Sequence, residues 1–334
     1  MKRLFCIAAA LITASAAYSQ TVDYSVATVP EESGSKFLKI TSDNDYVCMP
    51  EVHRYRQQIG DTDINKVRIV WPTNKIIDIS SDGERIAYLS MRGDATNIFV
   101  KELNRQGSSK QRTNRREVQD FSYSPDGQYL AFSERVGKNN LIYQTSAENG
   151  FVCRQVTNGY EDYSPVYSID MQKIFFTRME SKKTSIWSYD LKDNFLSSYS
   201  SGMNPYPVDS SGVILCARQN GYGKGEIWKI DYFSGVEECI VSDAGKSFSN
   251  PTLSPDGKWI LFVGSSSLPA GKFMYWNTDI YVCHTDGTEM IQLTHHAADD
   301  LCPIWGKDGK YIYFISQRGS EDGVANVWRM SFDN

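Results

Sequence analysis

The sequence lacks the features that mark several large functional classes. There is no basic excess, because 35 Lys and Arg face 40 Asp and Glu in 334 residues, so no positive field exists to attract nucleic acid. Beyond the N-terminus no apolar run approaches the ~20 residues that a membrane helix needs, so the mature chain should have no transmembrane segment. No Cys-x-x-Cys pair occurs, which disfavours a structural zinc site.

Aromatic residues and glycine are, by contrast, plentiful. The chain has 20 Tyr, 15 Phe, 7 Trp and 24 Gly, a composition that suits β-strands joined by tight turns. We therefore expect an all-β globular protein with enough apolar surface to form a core.

The N-terminus predicts an export signal. Lys2 and Arg3 precede an apolar stretch over residues 4–17, and Ala17 and Ser19 place small residues at positions −3 and −1 of a cleavage site. We predict a signal peptide over residues 1–19, an N-terminal extension over 20–36 and one domain over 37–334. The mature protein should be periplasmic or secreted.

Cysteine usage is compatible with export but does not define a disulfide framework. Cleavage would remove Cys6, and the six that remain are Cys48, Cys153, Cys216, Cys239, Cys283 and Cys302. Pairing cannot be read from spacing, so buried free thiols are the favoured interpretation. Cys48 and Cys302 lie in similar local sequences and form the first pair to test.

A repeated turn followed by an apolar strand organises the chain. Its clearest copies are Ser124-Pro125-Asp126-Gly127 and Ser254-Pro255-Asp256-Gly257, each followed by a hydrophobic run. Proline presets φ, the aspartate bonds nearby backbone, and glycine takes the last turn position. Successive copies are 44, 44, 41, 45 and 52 residues apart when measured at Asp82, Asp126, Asp170, Ser211, Asp256 and Asp308.

This period predicts a β-propeller. Each unit carries four strands, and the second is apolar throughout, as expected for a strand buried on both faces. The fold should therefore be all-β: a six-bladed β-propeller of four-stranded antiparallel blades.

The last unit lacks a fourth strand, and the chain's beginning can supply it. Residues 37–41 match residues 290–294 in pattern, so we expect the N-terminal strand to complete the last blade and close the ring. Residues 42–73 are either an excursion before the first blade, which we favour, or a degenerate blade that would make seven.

The Ser-Pro-Asp-Gly turns, the strands that end in Ile-Tyr or Ile-Trp, and the closing Leu293-Thr294 together resemble the TolB-like propeller family, whose repeat is also called WD40-like. The resemblance covers residues 37–334 and implies a periplasmic scaffold that binds an envelope protein or a glycan. TolB itself has an extra N-terminal domain, for which this chain has no space. Related propellers precede peptidase domains, but the Gly-x-Ser-x-Gly nucleophile elbow is absent.

Loops that join one blade to the next should meet at the channel mouth. They are acidic and aromatic, and the candidate ligand- or partner-binding residues are Asp45, Tyr46, Asp120, Tyr160, Asp162, Asp299 and Asp300. His295 and His296 are candidate metal ligands in the same loops. Oligogalacturonate lyases have a similar propeller with a histidine-bound metal, so a glycan-processing enzyme with a divalent metal is the alternative function.

The same residues can also be interpreted as structural and not as ligand- or metal-binding. Asp120, Asp162 and Asp300 could instead hydrogen-bond backbone amides and fix the loops. Adjacent histidines on an extended segment point in opposite directions, so at most one faces the channel. With no nucleophile, cofactor or metal motif in the sequence, we favour a non-enzymatic binding or scaffold protein without a cofactor.

Overall fold

The computed structural model describes residues 24–50, 53–57, 66–70, 75–105, 107–181, 183–270 and 273–333. The signal peptide predicted over residues 1–19 lies outside these ranges. The described residues form 26 β-strands and two short 3-10 helices, Pro30–Glu32 and Asp43–Asp45. Neither of these helices has the length or apolar character needed to cross a membrane.

Strands that follow one another in the chain pair into antiparallel groups of four, which we number as sheets 1 to 6. Sheet 1 comprises β4 (Ile77–Ile79), β5 (Arg85–Arg92), β6 (Ala95–Glu102) and β7 (Lys110–Gln111). Sheet 2 comprises β8 (Val118–Tyr123), β9 (Tyr129–Val136), β10 (Asn139–Ser146) and β11 (Cys153–Gln155). Sheet 3 comprises β12 (Glu161–Tyr167), β13 (Lys173–Glu180), β14 (Lys183–Asp190) and β15 (Leu196–Ser201).

The second half of the chain repeats the arrangement. Sheet 4 comprises β16 (Met203–Pro207), β17 (Val213–Gln219), β18 (Gly225–Asp231) and β19 (Glu237–Val241). Sheet 5 comprises β20 (Lys246–Leu253), β21 (Trp259–Ala270), β22 (Phe273–His284) and β23 (Ile291–Gln292). Sheet 6 comprises β24 (Asp300–Trp305), β25 (Tyr311–Ser316), β26 (Asn326–Ser331) and β1 (Phe37–Lys39). A single parallel pairing between Asn140 and Glu161 joins sheets 2 and 3.

The predicted turn chemistry is confirmed. In the turn before β9, the Asp126 carboxylate accepts hydrogen bonds from the Ser124 hydroxyl (2.5 Å) and the Gln128 amide (3.0 Å). Gly127 has φ +73°, a left-handed conformation that favours glycine. The turn before β21 has the same bonds from Ser254 and Lys258 to Asp256.

The core lies between sheets, because the second strand of each sheet is buried on both faces. On β9, Leu130 and Phe132 pack toward sheet 1, whereas Ala131 packs against Ile174 and Phe176 of sheet 3. The same alternation recurs on β17, β21 and β25. The predicted double-sided burial is therefore confirmed, and it explains why these strands are apolar at every position.

The N-terminal strand completes sheet 6 as predicted. Phe37, Leu38 and Lys39 lie opposite Met330, Arg329 and Trp328 in antiparallel register. Thr41 then accepts a hydrogen bond from the Val327 amide (2.9 Å) and donates one to Asn326 (2.9 Å). Thr113 makes the same two bonds to Ile98 and Asn97 in sheet 1, so Thr41 takes the place of a fourth-strand threonine.

Two described segments that precede β5 in the chain pair with it one after the other. Val47 pairs with Ser90 of β5, and β4 then pairs with residues 86–88 of the same strand. Between these two segments lie β2 (His53–Gln57) and β3 (Lys66–Val70), which pair with each other and with no third strand among the described residues. Residues 45–50 and 300–303 have similar sequences, and both segments pair with the second strand of a sheet.

The 52-residue spacing before the last repeat comes from a long hairpin in sheet 5. β21 and β22 each have 12 residues, whereas the corresponding strands of sheets 1, 2 and 3 have eight. Residues 267–270 and 273–276 pair with each other beyond Lys246, the first residue of β20, which lies opposite Ser266.

No disulfide forms among the six cysteines of the described ranges. Cys48 and Cys302 contact the same hydrophobic cluster but are not bonded to each other. Burial raises the pKa of Cys216 and Cys302 to about 12, so these thiols behave as small apolar side chains.

Candidate functional site

The innermost strand of each sheet begins at the loops that join neighbouring sheets and ends at the Ser-Pro-Asp-Gly turns. We call these two sides the loop end and the turn end of the molecule. The residues predicted as a binding site lie at the loop end, and most of their polar atoms are already used in contacts within the protein.

Asp120 bridges two sheets. Its carboxylate is fully buried on β8, where it accepts a hydrogen bond from the Ser133 hydroxyl and another from the Ser164 amide of sheet 3 (2.8 Å). Burial raises the pKa of Asp120 to about 7, although the hydrogen bonds oppose the shift. This is the loop-fixing role expected from the structural interpretation.

Asp162 is held by an arginine. Its carboxylate forms a two-pronged ion pair with Arg178 (2.7 and 2.9 Å), and both side chains are buried. The Arg178 guanidinium also lies over the rings of Tyr160 (4.1 Å) and Trp187 (4.6 Å). Tyr160 remains 44% exposed, so it is the part of this cluster that solvent or a ligand can reach.

Asp300 belongs to a buried three-residue network with the N-terminal extension. Arg318 donates hydrogen bonds to Asp300 and to both carboxylate oxygens of Glu32 (2.9 and 3.0 Å). All three side chains are shielded from solvent. Burial raises the pKa of Asp300 against the opposing charge of Arg318.

Asp45 ends the 3-10 helix Asp43–Asp45, and Tyr46 lies between that helix and Val47, which pairs with β5. The Asp45 carboxylate is buried and accepts hydrogen bonds from Tyr88 (2.9 Å) and Lys101 (3.0 Å). Burial would raise the pKa of Asp45, but the hydrogen bonds from Ser42 and Lys101 outweigh it and the pKa is lowered. Tyr46 is exposed, with a left-handed φ of +49°.

The two histidines face different surroundings. The His295 side chain is exposed, whereas His296 is buried and its Nδ1 accepts a hydrogen bond from the Ala298 amide (2.9 Å). Burial and the charge of Arg318 lower the pKa of His296. In the ranges that the structure describes, no three His, Cys, Asp or Glu side chains are arranged to hold a metal ion.

Sequence reasoning missed Asp279, a carboxylate of the loop end whose pKa is strongly raised. It lies on β22 and accepts hydrogen bonds from Asn277 (3.0 Å) and Gln292 (3.1 Å). Burial and the nearby charges of Asp300 and Asp299 raise its pKa to about 9. Sheets 1 and 6 carry asparagine at this repeat position (Asn97 and Asn326), so an acidic residue in its place was the available signal.

A wide concavity lies at the turn end, which sequence reasoning did not single out. It has a volume of about 580 Å³ and is bordered by residues of sheets 1, 4, 5 and 6, among them Lys75, Tyr206, Asp256 and Lys307. A neck of about 40 Å³ continues from it along the channel. Pro165, Pro205, Pro251 and Pro303 line this neck, and each follows a residue with a left-handed φ.

The arrangement of radially packed, four-stranded antiparallel sheets around a central passage defines the class of β-propellers. A family model described as the TolB beta propeller domain matches residues 45–273. The chain belongs to that family, and the resemblance read from its turns is confirmed.

Its curated relatives are longer than the matched region. The chain is 27% identical over 191 residues to an "uncharacterized peptidase YuxL" of Bacillus subtilis, which covers 54% of this chain and 28% of that protein. It is 25% identical over 213 residues to an "uncharacterized protein Atu1656" of Agrobacterium fabrum, which covers 58% of this chain and 64% of that protein. The chain therefore spans less than two thirds of either relative.

Solved structures share the fold at low identity. TolB from Acinetobacter baumannii matches with a TM-score of 0.59 and 20% identity, over 75% of this chain and 64% of that one. An oligogalacturonate lyase in complex with manganese matches with a TM-score of 0.53 and 14% identity, over 85% of this chain and 97% of that one.

Proposed function

We propose that this chain is an exported, non-enzymatic binding protein that presents one end of a closed six-bladed propeller to an envelope protein or a glycan. The observation that carries the proposal is the use of the loop-end carboxylates. Asp45, Asp120, Asp162 and Asp300 each accept hydrogen bonds from groups of this chain. A carboxylate committed in this way is a poor general base, because proton transfer would break the contact that holds its loop.

Ring closure is supported by contacts between the first and last sheets. The innermost strands β4, β8, β12, β16, β20 and β24 each contact the next, and β24 contacts β4. Tyr313 and Ile315 of sheet 6 share a hydrophobic cluster with Ile77 and Tyr88 of sheet 1. A circuit of contacts of this kind supports a closed ring.

The rival function is a glycan-processing enzyme with a divalent metal, which would use His295 and His296 together with Asp299. The fold shared with an oligogalacturonate lyase favours testing it. The opposite exposure of the two histidines disfavours a shared metal, since one side chain faces solvent and the other is buried.

One experiment separates these functions. The tagged full chain is crosslinked with formaldehyde in intact cells of its source, and the purified chain is tested for bound metal and for unsaturated products from pectic oligosaccharides. We expect one reproducible crosslinked partner, no stoichiometric metal and no unsaturated product. A stoichiometric divalent metal, lost in a His295→Ala and His296→Ala double variant together with product formation, would establish the enzyme instead.

A further inference from the structure

The turn end carries a group of exposed apolar side chains that the core does not use. Phe151, Val152, Phe195, Phe233 and Val236 are between 63% and 85% exposed. They lie on the hairpins between the third and fourth strands of sheets 2, 3 and 4. We call these five residues the turn-end patch.

The patch is continuous from one sheet to the next. Arg154, next to the hairpin of sheet 2, donates a hydrogen bond to Asn194 in the hairpin of sheet 3 (2.6 Å). Between sheets 3 and 4, Tyr232 packs against Tyr199 (5.0 Å between ring centroids) and against Phe233 (4.6 Å). The exposed rings are therefore carried by a linked surface and not by three separate turns.

The patch is bordered by negative charge. Five exposed carboxylates in or beside the turns of sheets 2, 3 and 4 form no salt bridge with any described Lys or Arg: Asp126, Asp170, Asp193, Asp209 and Glu238. The exposed cations on the three hairpins and the strand ends beside them are Arg154, Lys192 and Lys229, so the exposed carboxylates outnumber them. An apolar centre with a charged border is the usual anatomy of a protein interface.

The negative charge around the turn-end patch indicates which kind of partner it can bind. A second copy of this chain would bring the same carboxylates together across a two-fold interface, and an anionic lipid surface would be repelled. A cationic segment would gain both apolar contact and electrostatic attraction. Resting on the proposed binding function, we propose that the turn-end patch docks a basic amphipathic segment of a partner protein.

The probe is an 18-residue Lys/Leu amphipathic peptide carrying a fluorophore, with a Glu/Leu peptide of the same pattern as its charge control. Binding to the full chain is followed by fluorescence anisotropy at 50 and 300 mM salt. The variant is Phe195→Ser with Phe233→Ser, and the matched control is Tyr222→Ser, which removes an aromatic side chain 87% exposed at the loop end.

We expect the Lys/Leu peptide to bind the wild type and the Tyr222 control, more weakly at 300 mM salt. The double variant should lose at least tenfold in affinity while unfolding at an unchanged temperature, because both phenylalanines are exposed. Equal binding of the Glu/Leu peptide, or no effect of the double variant, overturns the proposal.

Two further readouts exclude the other occupants. Sedimentation showing a dimer that the double variant abolishes, or binding to vesicles of phosphatidylglycerol, also overturns it. If the crosslinked partner in cells survives the double variant unchanged, this docking surface is wrong while the binding function stands. If no partner is captured from wild-type cells, the binding function itself fails.

Discussion

At the level of single residues, the sequence identifies the acidic side chains of the loop end but not the side chains that pair with them. Asp162 and Asp300 stand out in the sequence, yet their roles depend on Arg178 and Arg318. Glu32 also binds Arg318, although the two residues are 286 positions apart in the chain. A local pattern can indicate which side chain sits at the start of a strand, but only tertiary contacts decide whether it is available to a ligand.

The buried network of Glu32, Arg318 and Asp300 gives a stability prediction. Arg318→Met should lower the free energy of unfolding by about 3–5 kcal/mol, because it leaves two buried carboxylates without their cation. Arg105→Met removes an exposed arginine paired with Glu102 and should cost less than about 1 kcal/mol. Denaturant unfolding of both variants measures the difference, and equal small losses would contradict the network's role.

Asp279 predicts a dependence of stability on pH. Its folded pKa of about 9 lies above the value of ~3.9 expected in the unfolded chain, so the folded state holds its proton more tightly. The contribution to stability is present below about pH 4 and is lost as the pH rises through 9. Asp279→Asn removes this titration and should make the loss of stability between pH 5 and 9 smaller, by on the order of a few kcal/mol.

The control for this prediction is Asp286→Asn. Asp286 is exposed on the next turn, and its hydrogen bonds with Thr288 lower its pKa, so it has finished titrating by pH 5. Its substitution should leave the change between pH 5 and 9 as in the wild type. Identical pH profiles for wild type and Asp279→Asn, from denaturant unfolding at each pH, would refute the assignment.

At the scale of elements, repetition made the strands predictable. The turn chemistry around Asp126 and the apolar run after it recur, so each sheet could be located from local signals alone. The split innermost strand of sheet 1 was not predictable in the same way. Val47 and β4 are separated by the β2–β3 hairpin, and only their common pairing with β5 shows that they act as one strand.

The threonine that follows the fourth strand in sheets 1, 2, 5 and 6 gives a prediction at this scale. Thr41→Val keeps the shape but removes the bonds to Asn326 and the Val327 amide, which should cost about 1–2 kcal/mol. Thr113→Val removes the same bonds within sheet 1 and is the matched comparison. Similar losses in denaturant unfolding are expected, whereas a negligible loss for Thr41→Val alone would mean that the N-terminal strand is dispensable.

In the whole molecule, the turn end and the loop end differ in the surface that they present to a partner. The loop end is fixed by buried carboxylates, and the turn end has the wide concavity and the exposed hairpins. The sequence indicated the loop end because histidines and aspartates concentrate there. The sequence did not indicate the concavity, because the residues that border it come from sheets that are far apart in the chain.

We propose that the chain's first strand, by pairing with the last sheet, closes the ring of sheets. Amide hydrogen exchange followed by mass spectrometry tests it on peptides covering residues 37–41 and 326–331. The Ile40 amide bonds to the Val327 carbonyl (2.8 Å), and β1 pairs with β26, so both peptides should show the same slow, cooperative exchange. Rapid exchange in residues 37–41 while 326–331 stay protected would show that the ring is open at this seam.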